Sequence, residues 1–143
     1  MRAIPLSLLL ACAALASGCV TNQMMLSEPI GSGRAAVFEA DFFTVLGAAK
    51  QAALEADLDL EKTIPTDSTL YVLLYKKGTS GWSWGEKVRI VVAAESTERT
   101  RVEIVSRRKV ATNITAKGNY ADQLFEAIGT NIQIARRSHT TGK

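Results

Sequence analysis

Apolar and polar positions fall into several distinct rhythms along this 143-residue chain. From Ala3 to Ala16 nearly every residue is apolar, interrupted only by Pro5 and Ser7. Residues 20–34 follow with little periodicity: Thr21, Asn22, Gln23, Ser27, Pro29, Gly31, Ser32 and Gly33 are scattered through them. Ala35 to Ala40 is a short strand candidate. The period then lengthens, with Phe42, Val45, Leu46, Ala49, Ala53 and Ala56 recurring on one face and Lys50, Gln51 and Glu55 on the other. That spacing predicts an amphipathic helix, and Asp41 before it suits an N-cap whose carboxylate accepts from first-turn amides. Asp57-Leu58-Asp59-Leu60-Glu61 alternates strictly, the period of a half-buried strand with its three carboxylates on one outer face.

Further along, Ile64-Pro65-Thr66-Asp67-Ser68 reads as a turn, and Leu70 to Tyr75 as a strand rich in branched and aromatic residues. Lys76 to Gly85 is a glycine-rich connection, and Val88 to Ala94 is the next strand. After the polar turn Glu95-Ser96-Thr97-Glu98, Thr100 to Lys109 alternates again, with Val102 and Ile104 against Arg101, Glu103 and Arg107. Val110 to Gly118 reads as loop or frayed edge. Asn119 can cap a second helix carrying Asp122 in its first turn and a stripe of Tyr120, Leu124, Ile128 and Ile132, with Ala121 and Phe125 beside it. Short turns between successive strands imply antiparallel pairing. The expectation is an α+β fold in the order β-α-β-β-β-β-α, an antiparallel sheet of four to five strands with two helices packed on one face. Residues 35–135 form the single domain in this reading, residues 136–143 a disordered tail.

The N-terminal run sets the address. Arg2 supplies a positive n-region, and small residues lead from the apolar run into Ala16-Ser17-Gly18-Cys19. This pattern resembles the lipobox of bacterial lipoproteins, although Ala16 stands where that class usually has leucine. The resemblance implies a signal peptide of residues 1–18, cleavage before Cys19, and lipidation of the Cys19 sulfur by a diacylglyceryl group. Residues 19–34 would then be the lipidated cysteine and a flexible tether. Alternatives remain. Ala14-Leu15-Ala16 also fits ordinary signal cleavage, Leu9-Leu10-Ala11-Cys12 is an earlier but cramped lipobox, and the apolar run falls short of the roughly 20 residues of a membrane span. A single acyl chain binds membranes only marginally, whereas two or more anchor firmly. Val20, rather than aspartate, after the cysteine favours the outer membrane, periplasmic face, in the sorting scheme of this class. Residues 35–135 also resemble small periplasmic lipoproteins in which a compact sheet is flanked by two helices, which implies fold and not function.

Charge adds a second pattern. The net charge is +3, and the 125 residues after a cleaved signal are near neutral. Near-neutrality and a periplasmic address both argue against nucleic acid as a partner. From Glu39 to Asp67 seven acids face two lysines, a local net of −5; from Lys76 to Lys117 ten bases face four acids, a local net of +6. These charges either pair across neighbouring strands or form a basic face for anionic lipid or glycan headgroups.

Catalytic chemistry is sparse. The one histidine, His139, lies in the C-terminal tail, and the lipobox resemblance implies that Cys12 leaves with the signal and Cys19 carries lipid. No metal set, no cofactor and no nucleophile elbow are indicated, and the spaced acids of Asp57 to Glu61 read as a solvated strand face rather than a calcium site. Gly31-Ser32-Gly33 lacks the preceding strand and following lysine of a phosphate loop. The best candidate is the segment Lys77 to Gly85, which holds both tryptophans, Trp82 and Trp84, flanked by Lys77 and Lys87. Tryptophan beside lysine suits a membrane interface, a glycan or a protein partner; equally, the indoles could cover an open edge of the core. Two classes of function follow: a non-catalytic binding module tethered to the envelope, with an envelope protein or glycan as partner, or a structural accessory subunit of an envelope assembly that accepts a strand at a sheet edge.

Overall fold

The computed structural model describes residues 20–78, 85–108 and 119–141. The described elements are α1 (Asn22–Ser27), β1 (Arg34–Phe38), α2 (Phe42–Glu55), β2 (Leu58–Pro65), β3 (Leu70–Lys77), β4 (Glu86–Ala94), β5 (Thr100–Arg108) and α3 (Ala121–Thr141). The five strands form one open antiparallel sheet in the order β1-β5-β4-β3-β2. The expected α+β class and strand–helix order are therefore present, with one short extra helix at the start.

Both long helices lie on one face of the sheet. Asp41 caps α2, its carboxylate accepting from the amides of Phe43 and Thr44 at 3.1 Å each and from the Thr44 hydroxyl. The buried side of α2 is Phe42, Val45, Leu46, Ala48, Ala49, Ala52 and Ala53; alanines let the helix approach the strands closely. Asn119 Oδ1 accepts from the Ala121 amide at 3.2 Å at the start of α3. From α3, Tyr120, Leu124, Ile128 and Ile132 join Leu73, Tyr75, Val88, Ile90, Val92, Val102 and Ile104 in one core. Burying each such aliphatic chain contributes about 1.5–3 kcal/mol.

Strand alternation sends the intervening residues to the second face. There Met25 of α1 packs with Leu74 and Val105, flanked by Val20 and Leu26. β4 is consequently buried on both sides from Glu86 through Val92.

Four expectations change. Residues 20–33, read as tether, include a helix and the fully buried Met25; the reason lies in buried charges described below. α3 continues through Thr141 instead of ending at the expected tail, and Arg136 in that stretch donates to the Glu39 carbonyl. Asp57 is not in the strand but in a left-handed turn (φ 57) that ends α2. Finally, β2 carries a register shift between Leu60 and Lys62, a bulge at Glu61 that breaks the strict alternation. The three carboxylates of Asp57, Asp59 and Glu61 do not form one row.

Candidate functional site

Of the residues singled out for partner binding, Lys77 and Lys87 fall within the described structure; Trp82, Trp84 and Cys19 lie outside the described residues. β3 and β4 pair as a hairpin whose last register partners are Lys76 with Lys87 and Lys77 with Glu86. Gly78 leaves the sheet here and Gly85 re-enters it with φ 84, a left-handed conformation that glycine takes without strain.

Both lysines are engaged inside the chain. Lys77 Nζ donates to the carbonyls of Ala56 and Asp57 at 3.1 Å each and to the Asp57 carboxylate at 2.7 Å. An ammonium is well placed there, because the last carbonyls of a helix lack intrahelical donors and carry the negative end of its dipole. The Lys77 hydrogen bond, reinforced by its charge, holds the Asp57 carboxyl below its ordinary value. Lys87 Nζ donates to the Glu61 carboxylate, and the two side chains are only 11% and 19% exposed. The bulge at Glu61 and its ion pair thus occur together. Below them Glu86 is buried and hydrogen-bonded by the Tyr120 hydroxyl. Burial first, and then Glu86, push the Tyr120 phenol well above its ordinary value.

Around these residues runs a cleft of about 450 Å³ lined by Asp59, Glu61, Lys76, Lys77, Gly78, Gly85, Glu86 and Lys87. Lys76 has no ion-pair partner among the described residues. The cleft therefore offers an ammonium that forms no direct ion pair among the described residues, with its register partner Asp59 across the ladder, at the root of the tryptophan-bearing connection.

A second constellation was not apparent in the sequence. On the other side of the sheet, Arg89 and Glu103 are 2% and 1% exposed and form an ion pair at 3.2 Å. The Arg89 guanidinium donates to the carbonyls of Met25 (3.1 Å), Glu28 and Pro29 (3.1 Å) and to the Ser32 hydroxyl at 3.4 Å. The Glu103 carboxylate accepts from the amides of Gly31 and Gly33, the latter at 3.1 Å. Outside this pair, Arg107 donates to the Glu28 carboxylate at 2.8 and 3.0 Å. Gly33 is required: a Cβ there would lie 2.6 Å from the Ile104 carbonyl oxygen and 2.7 Å from Val105 Cγ2. Glu103, set by its spacing on the polar side of an alternating strand, is with Arg89 the fastening of residues 25–33. Both terminal guanidinium nitrogens and both carboxylate oxygens are engaged within the chain, and only Arg89 Nε is left without a partner among the described residues, so this cluster positions chain.

No family model matches the chain, and no curated protein matches it. No described helix is long and apolar enough to cross a membrane. A larger cleft, about 800 Å³, lies between Asp41, Thr44, Glu39, Thr97, Glu98 and Arg136 at the opposite end of the sheet. Asp41 is occupied there as a helix cap, which holds its carboxyl below the ordinary value, chiefly through the Thr44 hydroxyl. No group of three or more histidine, cysteine or carboxylate side chains is placed to hold a metal among the described residues. The backbone of His139 belongs to α3. Much of the basic stretch pairs internally: Arg99 meets Glu39 and Glu95, Arg107 meets Glu28, and Lys77, Lys87 and Arg89 are paired as above.

Proposed function

We propose that the chain is an envelope lipoprotein, acylated at Cys19 and held on the periplasmic face of the outer membrane, whose small domain is a non-catalytic binding module. The observation that carries this reading is the register of the β3–β4 hairpin. Lys77 and Glu86 are its last partners, so the connection that holds Trp82 and Trp84 in sequence leaves the sheet at one end, beside the cleft that contains Lys76. Aromatic residues on a short connection between two rigid strands, with a cation at their root, suit capture of an envelope protein or glycan.

Trp82→Ala/Trp84→Ala tests it. A variant that keeps the wild-type unfolding midpoint but no longer retains the partner captured from solubilised membranes supports the reading. Undiminished capture contradicts it. The second reading, an accessory subunit that accepts a strand, rests on the open outer edges of β1 and β2. The bulge in β2 and Pro65 at its end work against strand addition there, leaving the five residues of β1. Capture that survives loss of both tryptophans but is abolished by Ala36→Pro would favour this alternative.

A further inference from the structure

The fastening of residues 25–33 bears on how an acylated form would sit on its membrane, and the inference rests on the lipidation proposed above. A free segment of 14 residues, 20–33, would let the domain stand off by about 20 Å on average as a flexible chain, and by up to roughly 45–50 Å when extended. The structure does not leave that segment free. Val20 and Leu26 pack against Met25, Leu74 and Val105, and Arg89, Glu103 and Arg107 together fasten Met25, Glu28, Pro29, Gly31, Ser32 and Gly33 to β4 and β5. Consecutive Cα atoms are about 3.8 Å apart, so acyl groups on Cys19 would begin one residue from packed chain.

We infer that the second face of the sheet, with the segment folded onto it, is a membrane-contact surface whose partner is the anionic lipid headgroup layer, and that the domain is held there in one orientation. The chemistry of the face agrees. The segment itself exposes Met24 and Ile30, at 51% and 59%. Strand alternation places Lys62, Lys76 and Arg101 on the same face, since their register partners or neighbours Leu74, Lys87 and Ala93 lie there. None of these three bases forms an ion pair among the described residues; one carboxylate, Asp59, shares the face as the register partner of Lys76. Apolar side chains among cations that outnumber the unpaired acids beside them are the composition of a lipid-interface contact. The helices α2 and α3 then face away, as does the solvent side of α2 at Gln51.

The test uses the full acylated chain in vesicles of phosphatidylethanolamine and phosphatidylglycerol that carry a nitroxide-headgroup lipid. Acylation leaves the mature chain without a free thiol, so Met24→Cys, Lys76→Cys and Gln51→Cys each take a single fluorophore. The expected result is quenching at positions 24 and 76, with none above background at 51, and loss of that contrast in the Gly33→Ala background, where the added methyl unseats the segment. Glu103→Gln serves the same purpose if Gly33→Ala does not fold. Equal quenching at all three positions, with the acyl mass present on the N-terminal peptide, would overturn the fixed orientation alone. Quenching that depends on protein density in the vesicle and not on nitroxide lipid would assign the face to a second copy and overturn the inference. An N-terminal peptide with a bare thiol would overturn the anchor and the orientation together.

Discussion

Replacing Arg89 with methionine is the perturbation that most sharply tests how the second face of the sheet is held. Methionine retains the unbranched apolar stem and deletes the guanidinium. Glu103, 1% exposed, is left as a buried carboxylate with only the amides of Gly31 and Gly33 as donors. The carbonyls of Met25, Glu28 and Pro29 lose their Arg89 donors at the same time. Removing one partner of a buried pair costs about 3–5 kcal/mol because a charge stays behind uncompensated. Domains of this size hold only about 5–15 kcal/mol in all, so roughly a fifth or more of the stability is at stake. Urea unfolding followed by far-ultraviolet circular dichroism reads the change directly. Arg89→Met/Glu103→Leu removes both charges and is expected to recover part of the loss, giving a coupling energy between roughly 0.5 and 3 kcal/mol. An Arg89→Met variant within about 0.5 kcal/mol of the wild type, the range of ordinary surface substitutions, would mean that the guanidinium does not hold the second face.

Other outcomes follow from the same contacts. Asp41→Ala should destabilise the domain by about 1 kcal/mol through loss of the α2 cap. Because folding lowers the Asp41 value from 3.8, its charge-linked contribution is complete above the unfolded value and vanishes as pH falls through the folded one. Asp41→Asn keeps a capping oxygen and should flatten that acid dependence in urea titrations below pH 4 or so; an unchanged slope would contradict it. Burial pushes the Tyr75 phenol up to about 12 from 10.0. The associated stability is complete below the unfolded value and lost as pH rises toward the folded one, so Tyr75→Phe should flatten the decline between pH 10.0 and about 12. Alkaline unfolding curves that coincide for the two proteins would count against the buried placement.

The long helices were legible because period and cap agree. The stripe of Tyr120, Leu124, Ile128 and Ile132 and the cap at Asn119 appear where the spacing put them, as do Asp41 and the apolar face behind it. α1 was not legible, because six residues without apolar periodicity acquire their structure from partners on β4 and β5. Glu103 alternates with apolar neighbours, the pattern of a wet outer face, and its spacing does not distinguish a solvated charge from one that fastens a distant segment. The one available signal was compositional: Arg89 stands within Val88-Arg89-Ile90-Val91-Val92, a run apolar enough for a strand buried on both sides. Gly33 belongs with it, since its lack of a side chain answers to the Ile104 carbonyl across the sheet. For the candidate site, sequence brought Lys77 and Lys87 to the base of the tryptophan-bearing connection. It could not show that Asp57 and Glu61 neutralise them, because a left-handed turn and a bulge, both invisible to period counting, bring those acids into reach.

Amide hydrogen exchange at Gly31 and Gly33 tests most directly whether residues 20–33 belong to the folded body. Their N–H groups donate to a carboxylate with almost no solvent contact, so exchange slowed by orders of magnitude, close to that of the β4–β5 ladder, is the predicted result. Exchange at the rate of unstructured peptide would show a free tether, and the fastening by Arg89 and Glu103 would then be wrong.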